Sequence, residues 1–462
     1  MRIRLARRMW NWLPLTVMAL ILIVGDGFVG SLMAQKEQTY ESLKLFSDVL
    51  QEIEENYVDE VDAEELIQDA IKGMVDNLDP HSNFMPPEAF DELQDDTKGE
   101  FGGIGIVISM KKGVLTVVSP IEGTPAYKAG IMAGDIIVKI DDHATTELAL
   151  WECVKKMRGA RGESVVLTIV RQGEAEPLIF SLERDIIPMT SIRSTTLRPG
   201  YGYIWVTNFR NNTADEMVDA LTKLESGEVP LKGLIMDLRN NPGGLLNQAV
   251  EVSDAFLDQG VIVSIKGRQA DHTEIFEARS GSVKRDYPMV VLINGGSASA
   301  AEIVAGALQD HKRAVILGTT SFGKGSVQTV KPLKDGFGLK YTIARYYTPN
   351  GRSIQAQGIH PDIEVSFRKI TDKAENKAKG PDEKRSSMAH MLREKDLKNH
   401  LEPETEMLEK SGDKIKKKTD GFAPGGPVGL EGLKQDSQVQ QALAILMGYS
   451  LLTQGKGATV TP

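Results

Sequence analysis

Cysteine is almost absent from this chain of 462 residues, since Cys153 is the only one. A single thiol excludes a disulfide within the chain, and it excludes zinc or iron–sulfur sites built on several cysteines. Histidine is also scarce, with 7 residues and no HExxH motif. The sequence therefore gives no support for that class of zinc hydrolase.

Positive charge is in deficit as well. The chain has 54 Lys and Arg residues against 64 Asp and Glu residues, a formal net charge of −10. Binding of nucleic acid through a broad basic surface is therefore not expected. Apolar residues (41%) and charged residues (26%) occur at ordinary globular levels, which argues against large-scale disorder. The length suggests about three domains.

The amino terminus has the composition of an export signal or a membrane anchor. Four arginines within the first eight residues precede an uncharged stretch from Met9 to Gly25. A basic head, an apolar centre and the small residue Ala34 are typical of a cleaved signal over residues 1–34. An uncleaved signal-anchor fits the same pattern, and a buried soluble helix is the third alternative. The two favoured alternatives predict an exported protein, in the periplasm or on the outer face of the inner membrane.

Changes in composition along the chain predict six segments. They are a signal or anchor (1–34), a helical region (38–95), a β-rich domain (99–185), an α/β core (187–367), a charged tail or linker (368–437) and a C-terminal helix (438–453). Apolar residues at near-helical spacing between Leu43 and Tyr57 indicate the helical region. The breaker-rich stretch from Leu78 to Pro87 predicts a loop.

Two different strand patterns follow the helical region. From Gly99 to about Asp185, short β-runs are punctuated by Gly, Asp and Pro, with one helix predicted over Glu147–Met157. This pattern is typical of a small β-domain. From Ile187 to Val365, strand-like and helix-like segments alternate, which predicts a mostly parallel sheet covered by helices.

A serine at a strand-to-helix turn is the strongest candidate for chemistry. The apolar strand at Val290 runs into Asn-Gly-Gly-Ser-Ala-Ser, and a helix-like segment follows Ser299 directly. The first amides of a helix and its positive dipole end stabilise an alkoxide or an oxyanion. The alternative is structural, because Ser299 and Glu302 form the S-x-x-E pattern of a capping box.

A serine nucleophile needs a base, and the histidines lie in unpromising contexts. Lys324 lies in the glycine-rich stretch GTTSFGKGSVQ, where burial would lower its pKa and leave a neutral amine. The alternative is a surface lysine in a glycine turn. The stretch also matches GxxxxGK, but Gly325 replaces the Ser or Thr of a phosphate-binding loop and strand-like sequence follows. An NTPase is therefore disfavoured.

Two further glycine-bearing turns have candidate roles. The segment NNPGG, which ends at Gly244, lies between a strand and a helix. Its amides are candidate oxyanion donors opposite the serine, or it is an ordinary β–α connection. The segment FGGIGIVI, from Phe101 to Ile108, offers free amides and a sheet edge that suit a peptide carboxylate, or it is a simple glycine hairpin.

Taken together, these motifs resemble those of the C-terminal processing peptidases, also called tail-specific proteases. The resemblance covers roughly Leu43 to Ile363, with the motifs in the family's order: FGGIGIVI with GTPAYKAGIMAGDIIVKIDD, then DLRNNPGG, GSASAAEI and GTTSFGKGSVQ. The segment QGIHPDIEV resembles the one that closes the family's core. The resemblance implies a crotonase-like α/β protease core with an inserted β-rich PDZ domain and an N-terminal helical segment.

The resemblance also implies roles for individual residues of the core. Ser299 matches the nucleophile, Lys324 matches the general base, and Gln328 matches the residue that orients the lysine. The amides of Gly244 and Ala300 match the oxyanion hole. A neutral lysine would take the serine proton during attack on the scissile carbonyl, and water would resolve the acyl-enzyme.

In the PDZ segment, Ile104, Gly105 and Ile106 match the loop that receives a substrate's terminal carboxylate. The resemblance implies an exported serine endopeptidase that acts on protein or peptide C-termini, without a cofactor or a metal. It implies a homo-oligomer, and it leaves room for an adaptor protein and for N-terminal membrane association. Two alternatives from other classes are a non-catalytic PDZ scaffold on a degenerate protease core and a crotonase-like enzyme that transforms acyl groups.

Overall fold

The structure is a computed structural model, and it describes residues 38–111, 113–268, 273–280, 285–370, 393–402 and 430–454. The predicted signal or anchor, residues 1–34, lies outside the described residues, and so does most of the predicted charged tail. The chain divides into two compact units, Met1–Asp76 and Asn77–Pro462. Within the described ranges, no helix is both long enough and apolar enough to cross a membrane.

The first unit is helical in its described part. Helix α1 covers residues 38–56, and helix α2 spans Ala63–Asp76. The apolar residues of α1 recur every three or four positions, which is the spacing of one helix face. Many of these side chains are exposed, namely Leu43, Leu45, Phe46, Val49 and Ile53.

The second unit opens with the predicted loop, and this loop contains a short strand that was not predicted. Strand β1 (Asn83–Met85) lies within it and pairs antiparallel with a strand late in the chain. Helix α3 (Pro87–Lys98) follows, with proline in its first turn and Gly99 at its end with φ +80°. Three residues have no periodicity of their own, so only the distant partner strand makes β1 a strand.

The β-rich domain lies between two connecting strands. Its elements, in chain order and with those connectors, are β2 (Glu100–Gly103), β3 (Ile106–Lys111), β4 (Val114–Pro120), α4 (Pro125–Lys128), β5 (Ile136–Ile140), β6 (His143–Ala144), α5 (Leu150–Met157), β7 (Ser164–Val170), β8 (Leu178–Glu183) and β9 (Asp185–Pro188). The connectors β2 and β9 pair with each other. The other strands form one antiparallel sheet in the order β3-β4-β5-β7-β8, with β6 beside β5.

The helix of this domain begins later than predicted. The sequence predicted a start at Glu147, whereas residues Thr145–Glu147 form a single 3₁₀ turn and α5 starts at Leu150. The last residue, Met157, agrees with the prediction. Alternate apolar residues of the strands fill the domain's own core, including Leu115, Val117, Ile137, Val165 and Leu167.

The α/β core alternates strands and helices as predicted. Its elements are β10 (Ile192–Arg198), β11 (Tyr201–Val206), α6 (Thr213–Glu225), β12 (Gly233–Asp237), α7 (Leu246–Asp254), β13 (Val261–Gly267), β14 (Thr273–Glu277), β15 (Met289–Ile293), α8 (Ala300–Asp310), β16 (Val315–Gly318), β17 (Ser326–Pro332), β18 (Gly338–Tyr347) and β19 (Ile363–Glu364). One six-stranded sheet has the order β10-β11-β12-β15-β16-β19. All its neighbours are parallel except β10 and β11.

Both faces of this sheet are covered. Leu234 and Met236 pack into the cluster that contains helices α6, α7 and α8. Ile235 and Val290 face the other way, because successive residues of a strand point to opposite faces. Helices α9 (Leu430–Lys434) and α10 (Ser437–Gln454) pack on that second face. The C-terminal helix is therefore part of the core.

A second sheet in the core was not predicted. It is antiparallel, with the order β1-β18-β13-β14 and with β17 also paired to β18. The alternation of strands and helices suggested mostly parallel strands, and pairing between β1, β13 and β18 joins segments far apart in sequence. This sheet matters for function because β17 begins directly after the loop of Lys324.

Candidate active site

Ser299 occupies a sharp turn between β15 and α8. Its backbone angles are φ +53° and ψ −114°, a region that costs a residue with a side chain on the order of 1–3 kcal/mol. A strained serine between a strand and a helix is the geometry of a nucleophile elbow. Within the described part of the chain, no side-chain hydrogen bond of Ser299 caps the helix. The capping pattern is present through Glu302, whose carboxylate accepts the Ser299 amide at 2.8 Å.

Side chains join the serine turn to the end of the neighbouring strand. The Asn294 Oδ1 accepts hydrogen bonds from the amides of Asn240 (2.9 Å) and Gly296 (3.0 Å). The Ser297 hydroxyl donates to the carbonyl of Leu238 (2.8 Å). These bonds fix the turn after β12 against the turn after β15, at the carboxyl ends of two parallel strands.

The glycine turn after β12 lies against Ser299. Gly243 and Gly244 have φ +104° and +139°, which favours glycine at both positions. A Cβ on Gly243 would lie 2.8 Å from the Cβ of Ser299, and one on Gly244 would lie 2.1 Å from the carbonyl oxygen of Phe209. Among the described residues, the amides of Gly244 and Ala300 have no hydrogen-bond acceptor. Both predicted oxyanion donors are thus available.

Lys324 lies in the loop between β16 and β17. Burial lowers its pKa to about 8, and the nearby charge of Lys340 acts in the same direction. The carboxylates of Glu394, Glu302 and Asp79 oppose that shift. The Lys324 amine makes no hydrogen bond with any residue that the structure describes. A pKa near 8 leaves a useful fraction of neutral amine at physiological pH.

Glu302 connects the two predicted catalytic residues, and sequence reasoning saw it only as a helix cap. Its Oε2 accepts the amides of Ser299 (2.8 Å) and Lys324 (2.9 Å). Its Oε1 accepts the Ser321 hydroxyl (2.5 Å) and the Gly323 amide (2.7 Å). Because one oxygen atom accepts both amides, the amide nitrogens of Ser299 and Lys324 cannot lie farther apart than the sum of those two distances.

Burial and hydrogen bonding act in opposite directions on the pKa of Glu302. The side chain is completely buried. Burial raises its pKa to about 7, and the four donors hold it against a larger rise because they stabilise the carboxylate. The S-x-x-E pattern contained the signal that could have identified Glu302. A glutamate that only caps a helix uses one of its four acceptor positions, so a buried one must find other donors.

Tyr346, on β18, is a second residue that the sequence did not reveal. Burial raises the pKa of its phenol to about 12, and the nearby side chain of Ser299 opposes that rise. Its backbone amide donates to the carbonyl of Gly325 at 2.7 Å. Tyr346 is therefore close to the nucleophile and bonded to the loop of the base, and its phenol is protonated at physiological pH.

Gln328 lies on β17, shortly after Lys324 in the sequence. Its side-chain amide donates to the hydroxyls of Ser326 (2.9 Å) and Thr342 (3.2 Å). The described contacts of Gln328 do not include the Lys324 amine. In this structure, then, the residue predicted to orient the lysine is close to it in sequence but directed at two hydroxyls.

The predicted carboxylate loop of the β-rich domain precedes β3. Gly105 has φ +75°, and a Cβ there would lie 2.3 Å from the Cβ of Thr124. The carbonyl of Ile104 accepts the amide of Ala126 at 2.9 Å, and the Gly105 carbonyl accepts the Thr124 hydroxyl at 3.1 Å. In the described sheet, β3 pairs only with β4, so its other edge, which begins at Ile106, is open to an added strand.

An ionic cluster joins the glycine turn to the C-terminal helix. Arg239 bonds Asp237 at the end of β12 (2.5 Å) and Asp436 just before α10 (2.9 Å). It also donates to the Gln438 Oε1 (2.6 Å), while the hydroxyl of Tyr203 donates to Asp237 (2.7 Å). The sequence gave no signal for this cluster, because Gln438 lies 199 positions after Arg239 and no local pattern links segments so far apart.

Comparison with family models identifies three regions of the chain. Residues 200–365 match "Peptidase family S41", residues 116–171 match "PDZ domain", and residues 28–89 match "Activating protease CtpB N-terminal domain". The first match contains Ser299 and Lys324. The second contains most of the β-rich domain.

Named relatives extend this similarity to most of the chain. The carboxy-terminal-processing protease of Bartonella bacilliformis is 43% identical over 416 residues, which is 89% of this chain and 90% of that protein. The carboxy-terminal processing protease CtpA of Bacillus subtilis is 36% identical over 340 residues, 73% and 72% of the two chains. Among solved structures, the photosystem II D1 C-terminal processing protease is 32% identical, with a TM-score of 0.41 over 70% of this chain and 92% of that one.

Proposed function

Because this chain belongs to the carboxy-terminal processing proteases of peptidase family S41 and has a PDZ domain, we propose that it is an exported serine endopeptidase with a Ser299–Lys324 dyad. It cleaves proteins near their C-termini. The observation that carries the proposal is the single carboxylate oxygen of Glu302 that accepts the amides of both residues.

Neutral Lys324 acts as the general base. It takes the Ser299 proton as the serine oxygen attacks the scissile carbonyl, and the tetrahedral oxyanion accepts the amides of Gly244 and Ala300. The lysine ammonium then protonates the leaving amine, which releases the C-terminal fragment and leaves an acyl-enzyme. Water hydrolyses the ester, with Lys324 again receiving and returning the proton. No cofactor takes part.

Gln328 orients the lysine in the active form. For this, its amide has to leave the hydroxyls of Ser326 and Thr342, to which it donates in the structure. In the same step the Ser299 hydroxyl has to hydrogen-bond the Lys324 amine. The catalytic site therefore passes from a resting to an active arrangement, and the core on which it does so is of the crotonase-like type.

The PDZ domain recognises the substrate's C-terminus. The amides at Ile104, Gly105 and Ile106 bind the terminal carboxylate, and the substrate adds a strand to the open edge of β3. A lysine base works best in a dry site, so closure around a bound C-terminus licenses cleavage. The partners are thus protein or peptide C-termini, and the net charge of −10 argues against nucleic acid as a partner.

The cellular setting is a further part of the proposal. Residues 1–34 export the protein to the periplasm or hold it at the outer face of the inner membrane. We propose a homo-oligomer, because α1 exposes large apolar side chains that a second copy would cover. An adaptor protein that delivers substrates is compatible with the same arrangement.

Observations on this chain argue against the two alternative functions. A non-catalytic PDZ scaffold would have no need of a buried lysine with a pKa lowered to about 8 beside a strained serine. A crotonase-like enzyme for acyl groups would have no need of the PDZ domain. Labelling by a fluorophosphonate probe, blocked in Ser299→Ala, distinguishes the protease from the scaffold.

The decisive experiment compares Ser299→Ala and Lys324→Ala with Lys334→Ala, a lysine exposed in a turn between β17 and β18. Cleavage of an unstructured protein with an apolar C-terminus is followed by mass spectrometry of the fragments. The first two variants should lose cleavage and keep the wild-type unfolding midpoint, and the third should keep both. Near-normal turnover in Lys324→Ala would refute the dyad. Proteins that accumulate in a Ser299→Ala strain would identify the substrates.

A further inference from the structure

A segment outside the matched protease domain packs against the loop of the catalytic lysine. It comprises residues 393–402, called the strap here, and contains a 3₁₀ turn at Glu394–Asp396. The match to the peptidase family ends at residue 365, so the strap belongs to the stretch that the sequence predicted as a charged tail. A solvated tail would keep its glutamates in water, whereas the Glu394 side chain is completely buried.

Glu394 holds the lysine loop on both sides of Lys324. Its backbone amide donates to the carbonyl of Phe322 at 3.2 Å. Its Oε1 accepts the side-chain amide of Gln355 at 2.9 Å, and the Oε1 of Gln355 accepts the amide of Gly325 at 3.0 Å. The strap is thus bonded directly to the residue two before Lys324, and through Gln355 to the residue after it.

The charge of Glu394 is placed where it acts on the lysine amine. Its second carboxylate oxygen is 2.7 Å from the Nε2 of His81. Among the described residues, the charges with the largest effect on the Lys324 pKa are Lys340 on β18, which lowers it, and Glu394 of the strap, Glu302 on α8 and Asp79 in the loop before β1, which raise it. Of the three carboxylates, Glu394 opposes the loss of the lysine proton most strongly.

We propose that Glu394 is a positioning residue of the active site, which holds the Lys324 loop through Phe322 and Gln355 and places a buried carboxylate next to it. The strap thereby sets the pH at which the protease gains its base. This inference rests on the proposed role of Lys324 as that base. It gives the C-terminal part of the chain a function that the protease and PDZ domains do not contain.

The test is the pH dependence of kcat/KM for Glu394→Gln, measured on the full chain between about pH 6 and pH 10. Glutamine keeps the length of the side chain and its hydrogen-bonding oxygen but removes the charge. The rising limb of the kcat/KM profile should move to lower pH. A move of about half a pH unit would raise kcat/KM at pH 6.5 about threefold. Glu402→Gln removes a negative charge from an exposed position of the same strap and should leave the limb in place.

Two more variants separate charge from structure. Glu394→Asp keeps the negative charge and should retain the wild-type limb, whereas Glu394→Met, neutral and of similar length, should reproduce the shift of the glutamine variant. An unmoved limb in the folded neutral variants would overturn the inference, and so would loss of folding in both neutral variants while Glu394→Asp folds. The proposed function fails separately, because it requires that Lys324→Ala be inactive whatever the Glu394 variants do.

Discussion

Replacing Glu302 by glutamine tests whether one buried carboxylate aligns the nucleophile and the base. The carboxylate accepts four hydrogen bonds, and an amide has a single acceptor oxygen. In the cheaper orientation its NH₂ group faces Gly323, whose amide is left unpaired, and Ser321, whose hydroxyl loses the acceptor of its own proton. These lost hydrogen bonds cost about 2–5 kcal/mol in total. At 1.4 kcal/mol per tenfold, the reaction rate should fall by at least about tenfold, even where part of the cost appears as lost stability.

The assay measures kcat and KM on one peptide substrate, together with the urea midpoint. For Glu302→Gln we expect a lower kcat, a nearly unchanged KM and a lower midpoint, because the PDZ contacts are untouched. Glu251→Gln is the matched control, since it removes a charge from α7 and touches neither catalytic loop. A glutamine variant with kcat within twofold of wild type and the same midpoint would refute the alignment of Ser299 and Lys324 by this carboxylate.

Three shorter predictions follow from the site. A pKa of about 8 for Lys324, with activity requiring the neutral amine, predicts that kcat/KM rises about tenfold from pH 7 to pH 9, and a flat profile would contradict it. Gly244→Ala places a methyl group 2.1 Å from a backbone oxygen, so kcat should fall about 100-fold; Gly227→Ala, whose nearest neighbour is at 3.5 Å, is the control in the same kinetic assay. Gly105→Ala places a methyl group 2.3 Å from the Cβ of Thr124 and should weaken peptide binding. Gly113→Ala is the control, because φ is also positive there but the space is open. Equal effects of the two variants in peptide-binding titrations would mean that backbone strain alone is responsible.

The parts of the site that the sequence revealed are those coded by local pattern. Ser299 stands out because an apolar strand, a glycine pair and a helix are consecutive, and the structure places it at that turn. Lys324 stands out because glycines flank it in a loop after a strand. Neither needs knowledge of a distant partner. The strands of the β-rich domain are recognisable for the same reason, since alternation and turn residues repeat within a few positions.

The parts that the sequence concealed depend on contacts between distant segments. Tyr346 looks like any aromatic residue of a strand, and only the pairing of β18 with its neighbours brings its side chain close to Ser299. Glu394 lies in a run rich in Lys and Glu, which by composition is solvated. Its burial results from the particular partners His81 and Gln355. Composition describes the average environment of such a run and misses the one member that packs.

The ionic cluster between Arg239 and the start of α10 has a consequence for the order of events in biogenesis. Gln438 lies 199 positions after Arg239, so the ribosome makes it, and Asp436 beside it, much later. Until they arrive, Arg239 lacks two of its three partners, and the turn that follows it is held by fewer bonds. Arg239 therefore gains its full set of described partners only after the start of α10 has been synthesised.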